Sequence, residues 1–248
     1  MLHQTMKHIV ATTICLMLIT SLSAQQLKIE TLLLDSNVIK TNLVDGALRF
    51  PIFKTGNKTI DELLNNDIIK RITSNDYPLL TNDSALITWA NEGIVYMNYE
   101  TTYYQNGIVS FNIGVEGCGA YCTGTKHYFN YNYYIGKPLT LGDIIDTTSG
   151  FAKQVLHDKR TQFTQQKVEL KKRLKEDPTG FDEETYNWAL TYYTDCENEF
   201  NFNSFALHPT HLSIICDCYM PHVIQSLAPD IELNYKYAII KQHLKIQP

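Results

Sequence analysis

The spacing of apolar residues changes several times along the chain, and each change marks a predicted element. In residues 59–72, Ile60, Leu63, Leu64, Ile68, Ile69 and Ile72 recur at helical spacing, which predicts an amphipathic helix with Thr59 near its N-cap. Upstream, Ile29, Leu32, Leu33 and Leu34 fit a strand. Residues 48–53 fit an edge strand, because Pro51 has no N–H to give a ladder. From residue 94 the period falls to two. Residues 94–104 alternate, Asn106-Gly107 suits the positive φ angles of a type I′ turn, and residues 108–115 return, which predicts a hairpin. Residues 126–134 make a third strand. Ile135-Gly136-Lys137 turns it toward Pro138-Leu139, and Thr140 caps a short helix over 141–145 with Asp143 near its positive end.

Helical spacing then returns. Phe151, Val155, Phe163, Leu170 and Leu174 form one stripe over residues 151–174, and Pro178 and Gly180 end that helix. A second helix over 182–196 carries Trp188 and Tyr192, and its opening acids Asp182, Glu183 and Glu184 suit the positive end of the helix dipole. Residues 200–207 and 212–219 predict another hairpin around His208-Pro209-Thr210-His211. Residues 231–235 alternate as a last strand, and 238–244 form a short closing helix. Hairpins set between helices, rather than βαβ units, predict an α+β fold in which a largely antiparallel sheet packs with helices as one domain over residues 25–248.

The N-terminus sets the expected compartment. Lys7 precedes an apolar run over residues 9–22, and Ser21, Leu22, Ser23 and Ala24 offer small residues before Gln25. This is the layout of a secretory signal peptide over residues 1–24, with cleavage after Ala24. A run of about 14 residues is shorter than a membrane span requires. Bulky Ile14 before Cys15 argues against lipidation at that cysteine. An exported protein follows, with periplasm, cell surface and medium all open and no membrane span after cleavage. The chain has 21 basic residues, one of them Lys7, against 26 acidic ones, so the mature net charge is about −6. That balance, without an uncompensated basic run, argues against nucleic acid and against acidic membrane surfaces. The 16 tyrosines suit strands with one buried and one wet face, or an aromatic surface for a glycan or protein.

Loss of Cys15 with the leader leaves Cys118, Cys122, Cys196, Cys216 and Cys218 as disulfide candidates. Cys118 and Cys122 flank Gly119-Ala120-Tyr121. In a straight strand they would lie about 13 Å apart, too far to bond, but the neighbouring glycines permit a tight turn that closes the gap. Cys216 and Cys218 share one face of a strand about 6.6 Å apart, and so are better placed to bond a neighbouring strand than each other. Cys118–Cys122 is the favoured pair; the rival joins one or both of these to Cys216 or Cys218. An odd count leaves at least one thiol free or intermolecular. The two cysteine pairs lack the paired knuckle spacing of structural zinc, export favours oxidation, and His208, His211 and His222 add little, so no metal is expected. Nothing calls for a cofactor.

No catalytic constellation is recognisable. Cys122 with His127 and Cys218 with His222 lack an orienting carboxylate, and neither Gly-x-Ser-x-Gly nor His-Glu-x-x-His occurs. The candidate binding residues are Cys118, Gly119, Ala120, Tyr121 and Cys122 in the loop 117–124, and Pro221, His222 and Gln225 in the apolar loop 221–225, because loops of this kind carry recognition. The rival role for the second loop is a cap packed over the core.

Several segments resemble the extracellular domain of unknown function of the lysozyme-sensing anti-sigma factor RsiV, a domain related to one that accompanies the polysaccharide deacetylase PdaC. Phe50-Pro51-Ile52-Phe53 before a helix is similar to that family's proline-bearing edge strand. Cys118-Gly119-Ala120-Tyr121 is similar to its small-residue Gly-Gly-Ala-His segment, with Tyr121 in place of His. Asn130-Tyr131-Asn132, Gly136-Lys137 and Leu139-Thr140-Leu141-Gly142-Asp143 are similar to its Asn-Phe-Asp, Thr-Gly-Lys and Leu-Thr-Leu-x-Asp block, with Asn132 in place of Asp. The resemblance implies a cell-envelope module that binds a lysozyme-like protein or an envelope glycan. The other readings are an envelope-glycan enzyme using carboxylates and a disulfide-linked structural protein.

Overall fold

The computed structural model describes residues 26–148, 150–177, 180–199 and 202–246. The expected leader, residues 1–24, lies outside them. The first unit is a two-stranded antiparallel sheet, β1 (Lys28–Asp35) and β2 (Ala47–Lys54), with Pro51 opposite Thr31. α1 (Lys58–Ile72) follows. Its cap is Asn57 rather than Thr59, because the Asn57 side chain accepts from the N–H groups of Thr59 and Ile60. α1 buries Leu64, Ile68, Ile69 and Ile72. α2 (Asn82–Ala90) was not predicted; Ala85, Leu86, Ile87, Trp89 and Ala90 run almost continuously and show no period.

The central sheet has the order β3-β4-β5-β6, made of β3 (Ile94–Gln105), β4 (Ile108–Cys118), β5 (Cys122–Asn132) and β6 (Lys137–Pro138). The predicted turn joins β3 to β4, with Asn106 at φ 53° and Gly107 at φ 78°. Gly107 is required on space as well, since a Cβ there would sit 2.4 Å from the Tyr134 ring. β5 starts four residues before the predicted 126, because Cys122 is already paired with Cys118 across the ladder. α3 (Leu141–Ile144), α4 (Gly150–Glu176) and α5 (Glu183–Asn198) follow, and Asp182 caps α5 by accepting from Thr185 N–H at 2.8 Å. A third sheet of order β7-β8-β9 comprises β7 (Phe205–Leu207), β8 (His211–Ile215) and β9 (Glu232–Lys236). α6 (Tyr237–Ile240) and a 3-10 turn over Lys241–His243 close the chain. Among the described residues every pairing is antiparallel, and the fold is α+β in a single domain. The strands are divided among three sheets rather than gathered into one.

The two faces of the central sheet differ in chemistry. Strand alternation sends Val109, Phe111, Ile113 and Val115 of β4, with Phe129 and Tyr131 of β5, into a core shared with Phe50, Phe53, Leu64 and Ile68. The Phe111 ring lies 4.9 Å from that of Phe53 and stacks 5.0 Å from that of Phe129. The opposite face carries buried Ser110, Asn112 and Asn130, and β7 packs over Ser110 and Asn130. There Leu207 N–H donates to Ser110 Oγ at 3.0 Å, and Asn130 Nδ2 donates to the Phe205 carbonyl at 2.8 Å. A second apolar core lies among α4, α5 and the third sheet, built on Phe151, Phe163, Tyr193, Leu207, Leu212 and Ile214. Among the described residues, no helix is long and apolar enough to cross a membrane.

Candidate functional site

At the tip of the β4–β5 hairpin, a Cys118–Cys122 disulfide closes the three-residue loop Gly119-Ala120-Tyr121, with the two Cα atoms 4.0 Å apart. Gly119 N–H donates to the Tyr121 carbonyl at 3.0 Å, and Cys118 N–H to the Gly93 carbonyl at 2.7 Å. A Cβ on Gly93 would meet Cys118 O at 2.5 Å, so only glycine allows this close approach at the foot of the tip.

The second predicted loop packs directly beside the first. Pro221 opens a 3-10 turn over His222–Leu227, whose inner residues Ile224 and Leu227 are buried; Tyr193 OH donates to the Leu227 carbonyl at 2.7 Å. On its outer side the His222 ring stacks on Tyr121 with centroids 4.3 Å apart, and His222 Nε2 lies 3.4 Å from the Cys122 carbonyl oxygen. Thr123 Oγ1 donates to Gln225 Oε1 at 3.4 Å. Cys118, Gly119, Ala120, Tyr121 and Cys122 therefore form one rim with Pro221, His222 and Gln225. The rim leaves large side chains in solvent: Tyr121 is 66% exposed, Val223 69% and nearby Tyr219 84%. The second loop is both a cap on the core and part of this surface.

Below the rim is a cleft of about 550 Å³ between β5 and the segment running from the end of β8 to β9. Arg71 and Lys126 supply positive charge, Asp217 and Asp230 negative charge, and Asn203 further polar atoms. Arg71 is held in place: its guanidinium donates to the Tyr128 carbonyl at 2.9 Å, lies 4.4 Å from the Phe129 ring centroid and pairs with Asp67 at 3.8 Å. Burial and the Arg71 charge push the His127 imidazole below its usual pKa against the opposing pull of Asp217, so the ring is neutral at pH 7. Burial and the surrounding acids push the Tyr128 phenol up to about 12. Ser204 donates directly to Asp217, whereas a serine nucleophile needs an imidazole between hydroxyl and carboxylate.

A second disulfide, Cys196–Cys218 with Cα atoms 5.4 Å apart, ties α5 to the segment that follows β8. The rival pairing of Cys118 or Cys122 with Cys216 or Cys218 is thus corrected, because Cys218 bonds the helix behind it. Cys216 is a buried free thiol, and burial raises its pKa against the influence of Lys159. Lys159 itself occupies the core stripe of α4 between Val155 and Phe163, where its ammonium donates to the Glu199 carbonyl.

Sequence reasoning reached the rim but missed the cleft. Arg71 lies far in the chain from Asp217 and Asp230, and it looks like an ordinary solvent-facing residue in the last turn of α1. Only Asp217 carried a signal: in Cys216-Asp217-Cys218, extended-chain alternation places it opposite both cysteines.

No protein-family model matches the chain, and no curated protein matches it. Its structure is similar to that of a DUF3298 family member from Bacteroides fragilis, with a TM-score of 0.51 at 11% identity over 91% of this chain and 95% of the other. A DUF3298 family protein from Pseudomonas aeruginosa gives a TM-score of 0.48 at 16% identity over 89% and 95%. The first of these likenesses supports the α+β fold.

Proposed function

We propose that this chain is an exported, non-catalytic cell-envelope module that binds an envelope glycan or a lysozyme-like protein through the rim and cleft. One observation carries the reading. Two loops about 100 residues apart in sequence meet through the Tyr121–His222 stack, so that exposed Tyr121, Val223 and Tyr219 project from a backbone pinned by a disulfide and a buried 3-10 turn. Tyrosine rings held in this way offer flat faces to a sugar ring or anchors for a protein partner. The cleft beneath carries donors on one wall and carboxylate acceptors on the other, which suits hydroxyls and amides better than a polyanion. The two disulfides fit an oxidising compartment, and the resemblance to the RsiV-type domain supplies the lysozyme-like candidate.

The test is binding of purified protein to lysozyme and to peptidoglycan. Saturable binding of either, lost in a Tyr121→Ala/His222→Ala double variant, supports the reading. Binding of neither, or binding indifferent to both residues, removes it. Asp217 and Asp230 sharing one cleft favour a second reading, an envelope-glycan hydrolase. Release of new reducing ends from peptidoglycan, abolished by Asp217→Asn, would establish that one instead. Buried Cys216 disfavours the disulfide-linked structural protein, since its thiol is not presented to a partner.

A further inference from the structure

Away from the rim, the β7–β8 turn and the start of β9 bring together side chains with a different chemistry. His208 and His211 flank Pro209-Thr210 and close the hairpin, with His208 N–H donating to the His211 carbonyl at 2.9 Å. As a direct cross-strand pair their side chains emerge on the same face, and the rings stack 4.3 Å apart at 2°. Glu232 of β9 reaches the same place: one ligand atom each from His208, His211 and Glu232 lie within 4.8 Å of one another.

We propose that His208, His211 and Glu232 form a binding site for a divalent transition-metal ion of the Zn²⁺ class. Two imidazoles and one carboxylate are a donor set for zinc, whereas Mg²⁺ and Ca²⁺ require oxygen ligands. Zn–N distances of about 2.1 Å in a tetrahedron place neighbouring donor atoms about 3.4 Å apart. The three groups thus need to close by at most about 1.4 Å, a movement within reach of half-exposed histidines and an exposed glutamate. Thr210 Oγ1 lies 3.2 Å from His211 Nδ1, and an Nδ1–H donated to that hydroxyl would leave Nε2 of the ring to bind the ion. With two imidazoles and the Glu232 carboxylate converging, the cluster suits a dication. A bound ion would pin the β7–β8 hairpin to β9 at the end of the third sheet, next to the polar seam against the central sheet.

The experiment uses untagged protein stripped with a chelator and then titrated with Zn²⁺, with Mg²⁺ as the control. Calorimetry gives the stoichiometry, and the visible d–d spectrum of Co²⁺ reports the ligand set. The expected result is one tight Zn²⁺ equivalent, no Mg²⁺ uptake, a tetrahedral Co²⁺ spectrum and a rise in Tm on zinc addition. His208→Ala and Glu232→Gln should each weaken Zn²⁺ at least 10-fold and abolish the Tm rise. Because all three residues are at least partly exposed, both variants should fold, as far-UV circular dichroism would show; His211→Gln is a further isosteric check. Absence of Zn²⁺ binding in the parent protein overturns the proposal. So does Zn²⁺ binding that His208→Ala and Glu232→Gln leave unchanged, since the ion would then sit elsewhere.

Discussion

The two faces of the central sheet differ in what holds them to their neighbours. One face is apolar and aromatic, with Phe111 packed against Phe53 and Phe129 and the Tyr131 hydroxyl satisfied by donating to Asp67 at 2.6 Å. The other meets the third sheet through Ser110 and Asn130, whose hydrogen bonds run to the backbone of β7. Asn130 Oδ1 is buried there without a donor, so this face is the less completely satisfied one. The dry face supplies cohesion and the polar face supplies register, since each hydrogen bond is correct at one alignment only. The cleft opens along the edge of the polar face, where the third sheet diverges from β5. On this account the C-terminal half is the easier to loosen.

Phe111→Ala should have the largest effect. It removes a fully buried ring from the dry face and should cost about 3–5 kcal/mol, read by urea denaturation, with loss of cooperative folding throughout. The disulfides come next. Cys196–Cys218 spans 22 residues and constrains the C-terminal half, so its replacement by alanines should cost about 3 kcal/mol. Cys118–Cys122 spans only 4 and should cost about 2 kcal/mol, with the loss concentrated in the rim.

Ser110→Ala sharpens the comparison most directly. It strips the Leu207 N–H of its acceptor at a buried position and should cost about 1–3 kcal/mol. Hydrogen exchange should quicken in β7–β9 while α1 and β1–β2 stay protected. Equal acceleration on both sides would mean that the two faces unfold as one unit.

The smallest effect belongs to Asp143, which accepts from the hydroxyl and the N–H of Thr140 and pairs with Lys137 at 3.0 Å. These contacts hold its carboxyl at about 2, below the ordinary 3.8. A carboxylate with a depressed folded pKa stabilises fully above its unfolded value and loses that contribution as pH falls through the folded one. The window is therefore about pH 4 down to pH 2. Solvent screening at this partly exposed site limits the effect to about 0.5–1 kcal/mol. Asp143→Asn should lower stability by that amount at pH 7 and flatten the acid limb in that window, as measured by thermal melts across pH.

Local signals were readable wherever one element decided its own form. Asn106-Gly107 fixed the central hairpin, and the stripes of α1 and α4 gave most of their buried faces, although Leu63 of the α1 stripe is exposed. The α+β class followed from hairpins set between helices. Packing between elements was not readable. Ser110 and Asn130 alternate as outward polar residues should, yet β7 covers them. Lys159 sits on the α4 stripe where periodicity asks for an apolar side chain. His208 and His211 looked like exposed turn residues, because nothing local says that Glu232 arrives beside them. The rim fared better: both of its loops were singled out separately by glycine, cysteine and proline chemistry. Their contact depends on the third sheet bringing His222 to Tyr121, which no local pattern encodes.

The central claim is that the pinned rim is the recognition surface, and it should separate cleanly from stability. Tyr121→Ala and His222→Ala touch exposed groups and should each change folding stability by no more than about 0.5 kcal/mol. The decisive measurement is the affinity of the parent protein and of the double variant for peptidoglycan and for lysozyme, with denaturation midpoints taken on the same samples. The account predicts saturable binding of one of these by the parent, and at least a 10-fold loss in the double variant at an unchanged midpoint. Equal affinity of parent and double variant, both fully folded, would contradict it.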